Sequence, residues 1–337
     1  MMKDELNSKI YYHLPGLFEF YELYSLFLPF YRDHRDYFYD WCEIGSIYGA
    51  PYDCIWGGGR ACVGECEVDS VLNLLETYGI SGRLTFSNSL LTEEHLKDKR
   101  CNRICTVFAG QVPSGDYSYT TGSLHPASSP GMENQIHSAD SSHSTRFRHG
   151  VIVHSDLLTD YLRTNYPSLY LVSSTTKVLT NFEDLRRELQ REEFAYVVPD
   201  FRLNKEFDKF SLLKEEEKHK IELLCNECCD VNCQQRKECY ENVSRKCLGI
   251  PTTDHICKSP NANRGYVFSL AMENSMFIGI DDIQTRYLPL GITNFKIEGR
   301  GLGSAVVLEF LLYYLTKPEY QLRVREAIYL DAMLDLF

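Results

Sequence analysis

The sequence predicts an α/β chain that folds as a (β/α)8 TIM-type barrel, irregular in places and interrupted by one long insertion. Three observations point there. Short apolar runs of strand length alternate with longer amphipathic segments, the rhythm of a parallel sheet under helical cover. Eight such runs can be marked, the number that closes a barrel. A length of 337 residues, with 44% hydrophobic and 24% charged content, suits one large globular barrel.

The runs, in order, are KIYYH (9–13), EIGSIY (43–48), GRLTF (82–86), GVIVH (150–154), SLYLV (168–172), FAYVV (194–198), KIELLC (220–225) and TNFKI (293–297). Helical patterns lie between them, at VDSVLNLLETYG (68–79), SDLLTDYLRTNY (155–166) and NFEDLRRELQREE (181–193). Ser155 stands where an N-cap is wanted, because its hydroxyl can accept an orphan amide of the first turn. Gly79 stands where a stop is wanted. The stretch LFEFYELYSLFLPFY (17–31) carries aromatics at helical spacing and reads as a helix packed against the barrel. The apolar run Ala305 to Leu315 is broken by Glu309. It is shorter than the ~20 residues of a membrane span and reads as a buried helix.

These elements divide the chain into a first part of the barrel (1–109), an insertion (110–149) and a second part (150–337) that holds a cysteine-rich segment, 225–257. The insertion is rich in Ser, Gly, Pro and His. A structureless stretch of that length is expected to be disordered or to serve as a lid. Its histidines, His125, His137, His143 and His149, are spaced too irregularly to define a metal site.

A net charge of −12 argues against a broad nucleic-acid footprint, which needs a basic stripe to neutralise phosphates. RNA as a partner is therefore disfavoured, with LKDKRCNR (96–103) the one short basic cluster. The N-terminal residues show no basic region followed by an apolar core, so no secretory signal and a cytoplasmic location are expected. Thirteen cysteines, an odd number, then read as reduced thiols rather than a paired framework.

Five of those cysteines fall within 225–240, CNECCDVNCQQRKECY, and Cys247 and Cys257 follow. The segment leaves a strand at its C-terminal end, the face where barrels carry chemistry. Cys225-x-x-Cys228 and Cys229-x3-Cys233 form close pairs, and Cys239 and Cys247 extend the reach. Thiolates gathered in fours hold zinc or iron–sulfur clusters, yet no regular pair of CxxC knuckles appears. Spacing alone leaves a metal centre and free thiols evenly matched. A second set, Cys42, Cys54, Cys62 and Cys66, has spacings that favour no site.

Asn226-Glu227-Cys228-Cys229, then Cys233, Arg236 and Tyr240, resembles the NExCxxxCxxRxxHY segment of the collagenase-like (U-thirty-two type) peptidase family. GITNFKIEGR (291–300), followed by a helical segment and KPEY, resembles that family's closing strand and helix. Asn263-Arg264-Gly265 is a looser echo. The resemblance covers roughly residues 150–330. It implies a (β/α)8 barrel and, as in several members, a four-cysteine [4Fe–4S] cluster used in oxygen-independent hydroxylation of RNA bases or quinone precursors. Carried over by position, the ligands are Cys229 and Cys233. Cys239 stands at the family's histidine, a departure, and Cys247 and Cys257 are candidates for the remaining places. Zinc is the alternative metal.

Other residues at strand ends would converge on a barrel mouth. As catalytic candidates the sequence offers Asp200 as a base or helix cap, Lys177 as a Schiff-base lysine, His154, and the Glu298–Arg300 pair. As substrate-binding candidates it offers His13, Tyr48, Asn88, Asn226 and Arg60. Arg60 belongs to the glycine-rich stretch 44–66, which lacks a nucleotide signature and reads first as a tight turn. HExxH is absent, so a zincin protease is excluded. Three functions follow as expectations: a cluster-bearing barrel enzyme modifying a small molecule, peptide or RNA base; a peptidase or peptide-modifying barrel without a cluster; and a noncatalytic protein-binding barrel with structural cysteines.

Overall fold

A computed structural model of the chain describes residues 9–59, 66–111, 148–258 and 268–334. Residues 112–147, most of the expected insertion and three of its four histidines, lie outside the described residues, as do Arg60, Cys62 and the 263–265 motif.

The eight expected strands form: β1 (Ile10–Pro15), β2 (Cys42–Gly49), β3 (Ser81–Phe86), β4 (Gly150–Val153), β5 (Tyr170–Ser173), β6 (Phe194–Val197), β7 (Glu222–Leu224) and β8 (Asn294–Lys296). All pair in parallel, in the order β6-β5-β4-β3-β2-β1-β8-β7. A parallel bridge between Val197 and Ile221 joins the two outer strands and closes the barrel. The irregularity is local: register shifts fall at Tyr12/His13 and at Leu171/Val172. Such shifts increase twist, which helps strands this short to close.

Helices fill the connections. The first half contributes α1 (Tyr21–Asp33), α2 (Val68–Tyr78), α3 (Lys99–Phe108), α4 (Asp156–Asn165) and α5 (Phe182–Leu189). The second half contributes α6 (Phe207–Ser211), α7 (Glu215–Lys220), α8 (Arg236–Cys247), α9 (Phe268–Glu273) and α10 (Ile280–Asp282), then α11 (Ser304–Leu315) and α12 (Gln321–Leu334). The Ser155 side chain accepts from the Leu158 amide and caps α4. Gly79, at φ +64°, ends α2 in the left-handed region that a side chain would strain. α1 buries Leu23, Tyr24, Phe27 and Leu28, the packing helix its aromatic spacing predicts. α11 buries seven of its residues, and its lone charge, Glu309, forms a two-pronged pair with Arg325 at 2.8 Å. No helix among the described residues is long and apolar enough to cross a membrane.

Strand alternation sorts side chains into two environments. Ile10, Tyr12, Leu14, Ile47, Leu84, Phe86, Val151, Val153, Phe295 and Ile297 point outward into one continuous core beneath the helices. The barrel interior is different. A barrel axis is ordinarily packed with branched apolar residues, and here Tyr48, Ile152, Val172 and Val198 make only a small apolar cluster. The rest is polar or ionisable. Arg83, Glu222, His13 and Lys296 are all at most 5% exposed. Arg83 donates to Glu222 at 2.5 Å and to the Tyr170 hydroxyl at 2.8 Å, with its guanidinium over the Tyr196 ring at 4.5 Å. His13 meets the Ser46 hydroxyl at 2.8 Å and Glu222 at 3.5 Å.

Candidate active site at the barrel mouth

A cavity of about 50 Å3 opens at the C-terminal ends of the strands, walled by residues of β2, β3, β4, β7 and β8 and by those just beyond β5 and β6. Three of its residues come from β8 and its continuation: Lys296, Glu298 and Arg300. Because strand side chains alternate, residues two apart share a face, and these three point inward while Phe295 and Ile297 point into the outer core. Hydroxyls from Thr85, Ser87, Ser174, Thr175 and Thr176 supply neutral donors and acceptors, and Tyr48, Glu227 and Tyr240 complete the polar lining.

Lys296 is the deepest charged group of the cavity. Its Nζ lies 3.3 Å from Glu222 Oε1 and 3.6 Å from the centroid of the Tyr48 ring. Burial disfavours its ammonium form, Glu222 opposes that effect, and the Arg83 and Arg300 guanidiniums reinforce it. Its pKa falls from 10.5 to about 8. Glu222 is held well below the ordinary carboxylate range by Arg83, His13 and Lys296, against the effect of its burial.

The mouth is braced by reciprocal contacts. Asn226 Nδ2 donates to the Glu298 carbonyl at 2.9 Å, and the Glu298 amide donates to Asn226 Oδ1 at 2.7 Å. This pair ties the loop after β7 to the end of β8. Arg300 donates to the Gly58 carbonyl at 3.1 Å. A Cβ at Gly58 would stand 2.7 Å from the Ser87 backbone, so glycine is required for the turn to lie so close to the end of β3. The described part of the glycine-rich stretch, up to Gly59, thus makes the tight turn expected at this point. Above it, Arg236 at the start of α8 pairs with Glu227 and, at 3.2 Å, with Asp200, and its guanidinium lies over the Phe201 and Tyr240 rings.

Of the residues singled out from sequence, Tyr48, Glu298 and Arg300 line the cavity. Asn226 stands behind it as a brace. Asp200 caps the turn Phe201–Leu203 through the Arg202 amide and pairs with Arg202 and Arg236. Asn88 donates to the Ile55 and Ser244 carbonyls and fastens α8 to the mouth. His13 lies in the barrel interior, outside the cavity lining. Lys177 pairs with Glu188 of α5 at 2.6 Å and sits over Phe194, away from the cavity. His154 meets Thr176 of the rim at 2.9 Å, and burial together with Lys177 and Lys237 lowers its pKa to about 4. His149 accepts from the Gly82 amide at 2.9 Å and serves the core.

Lys296 and Glu227 were missed. Each had a signal: Lys296 shares the period-two face of Glu298 and Arg300, and Glu227 follows directly on Asn226 at the end of β7.

The cysteines disperse. No disulfide forms among the described cysteines. Cys225 points into the outer core, as its place two residues beyond Leu223 dictates. Cys229 is raised to about 12 by burial, with Arg236 opposing and Glu227 and Cys233 adding to the rise, so it lies near Cys233. Cys247 faces the turn at Gly57. Cys54 hydrogen-bonds Cys101, while Cys42 lies at the far end of β2 and Cys66 in a cleft beside α1. Among the described residues, the one group of three or more candidate ligands whose donor atoms all lie within 4.8 Å is Glu227, Cys228 and Glu298. Cys229, Cys233, Cys239 and Cys247 do not gather within that distance, the spread that ligands of one metal ion need.

No family model matches the chain. No curated protein matches it. Among solved structures, the U32 peptidase Mk0906 aligns with 89% of this chain and 96% of its own, at 13% identity and a TM-score of 0.46. The barrel assignment stands on the strand order and its closing bridge.

Proposed function

We propose that the chain is a barrel enzyme acting on a small polar molecule, bearing a carboxylate, held in the mouth cavity. One observation carries this reading: Lys296, Glu298 and Arg300 converge with strand-end hydroxyls on a single buried cavity. A guanidinium is suited to bind a carboxylate through two parallel hydrogen bonds. Glu298, two residues on, is placed to move a proton. The cavity, about 50 Å3, has room for a few waters' worth of ligand. A peptide chain needs a groove, so the peptidase reading is the weaker one.

Thermal unfolding against a panel of small mono- and dicarboxylates, hydroxy acids and oxo acids tests this. A fitting acid at a hundred times its Kd adds about 2.7 kcal/mol to folding stability. Arg300→Met should remove that gain. Failure of every acid, or an undiminished gain in the variant, would contradict the reading.

A second reading keeps an iron–sulfur or zinc centre with hydroxylation chemistry. In its favour, Cys233 acts electrostatically on Cys229 in the loop after β7, and Cys239 and Cys247 lie on α8, which follows that loop. Iron and zinc analysis of anaerobically prepared protein decides it. Brown protein with about four irons that bleaches in Cys229→Ala supports the cluster, stoichiometric zinc supports the alternative metal, and colourless, metal-free protein rules both out.

A further inference from the structure

We infer that Lys296 is a carbonyl-reactive amine and that the mouth cavity takes a small 2-oxo acid, whose keto carbon forms an imine with it. This rests on the reading of the mouth as a small-acid site and adds the bond that forms there.

Position comes first. Among the described residues, Lys296 is the one lysine in the cavity lining. Glu222 lies 3.3 Å from its Nζ and the Tyr48 ring 3.6 Å away. At 5% exposure the head group cannot reach bulk solvent, as surface lysines do. Lys177, the lysine the sequence offered as a candidate for this chemistry, is held by Glu188 of α5.

Reactivity follows from the surroundings. A lysine becomes a nucleophile when desolvation and nearby cations make its neutral form accessible. Burial does most of this, with Arg83 and Arg300 adding like charge against Glu222, and the pKa falls to about 8. His13 also faces Glu222, but burial holds it neutral at neutral pH. These surroundings shift Lys296 toward its neutral, nucleophilic form.

The other walls name the substrate. Arg300, four residues along the same inward face, is placed for a carboxylate beside the reacting carbon. The cavity volume of about 50 Å3 fits an acid of about three or four carbons.

The step balances without a co-reactant. The neutral amine adds to the keto carbon, and the carbonyl π pair moves to oxygen. A proton passes from nitrogen to that oxygen, giving a carbinolamine. Its hydroxyl takes a second proton, relayed by Glu298 from the one the ammonium released, and leaves as water. The resulting iminium carries the charge the ammonium had.

The test is reductive trapping on the full chain, using pyruvate and then borohydride, read by intact mass and peptide mapping. The expected result is one reduced pyruvate adduct per chain, mapped to Lys296, lost in Lys296→Ala and absent with acetone, which lacks the carboxylate. Mapping on the unaltered protein keeps the assignment independent of whether the variant folds. No adduct at saturating pyruvate, or adducts scattered over surface lysines, overturns the imine. If small acids still stabilise the protein through Arg300, the acid site survives that result. If they do not, both readings fall.

Discussion

Arg83 and Glu222 form an ion pair at 2.5 Å in the middle of the barrel, where neither side chain is more than 1% exposed. A pair this deep gives up much of its Coulomb gain to desolvation, but removing one partner strands the other charge. Arg83→Met should therefore destabilise the fold by about 3 kcal/mol in urea titration. Arg83→Met combined with Glu222→Leu and Lys296→Met removes all three charges and should recover much of that loss. A triple variant no better than the single would show that the three charges do not act as a unit.

The same network sets a pH dependence. His13 stays neutral in the fold down to about pH 3, while its unfolded value is 6.5. Between those values the unfolded chain binds a proton that the folded chain refuses, so stability falls as pH falls. Glu222 acts in the same direction below its ordinary value of 4.5. The His13 contribution has a slope of about 1.4 kcal/mol per pH unit within its window. His13→Gln should flatten the stability curve between about pH 6 and 4 by close to one proton. An unchanged slope would remove His13 from the account.

Arg236 holds α8 over the mouth through Asp200 and Glu227. Arg236→Ala should leave the barrel strands protected from hydrogen exchange while amides of 227–247 exchange at least tenfold faster, a local loss of about 1.4 kcal/mol or more. Uniform loss of protection would mean that the contact stabilises the whole barrel instead.

Gly59 sits at φ +82°, and a Cβ there would lie 2.8 Å from an Arg300 guanidinium nitrogen. Gly59→Ala should cost about 1 kcal/mol in backbone strain and displace Arg300, weakening acid binding at least tenfold by calorimetry. Unaltered affinity would take Arg300 out of the ligand's reach.

All eight strands, the Ser155 cap and the Gly79 stop were legible because hydrophobic alternation and local turn chemistry are properties of neighbouring residues. Parts of the mouth were legible for the same reason, since Glu298 and Arg300 share one strand face. The partners of Asp200 and Lys177, Arg236 and Glu188, were not legible because they come from separate helices. Proximity of that kind is not written in local spacing. The cysteines teach the same lesson. Cys225 is fixed by strand alternation, but its neighbours lie in a loop and on α8, where spacing does not set the direction of a sulfur.

The most direct measurement is a crystal structure of the protein with the acid that stabilises it most. The account predicts ligand density in the mouth cavity, with the carboxylate against Arg300 and the rest between Lys296 and Glu298. Density only in the cleft formed by Phe18, Leu308 and Tyr329, with none at the mouth, would contradict it.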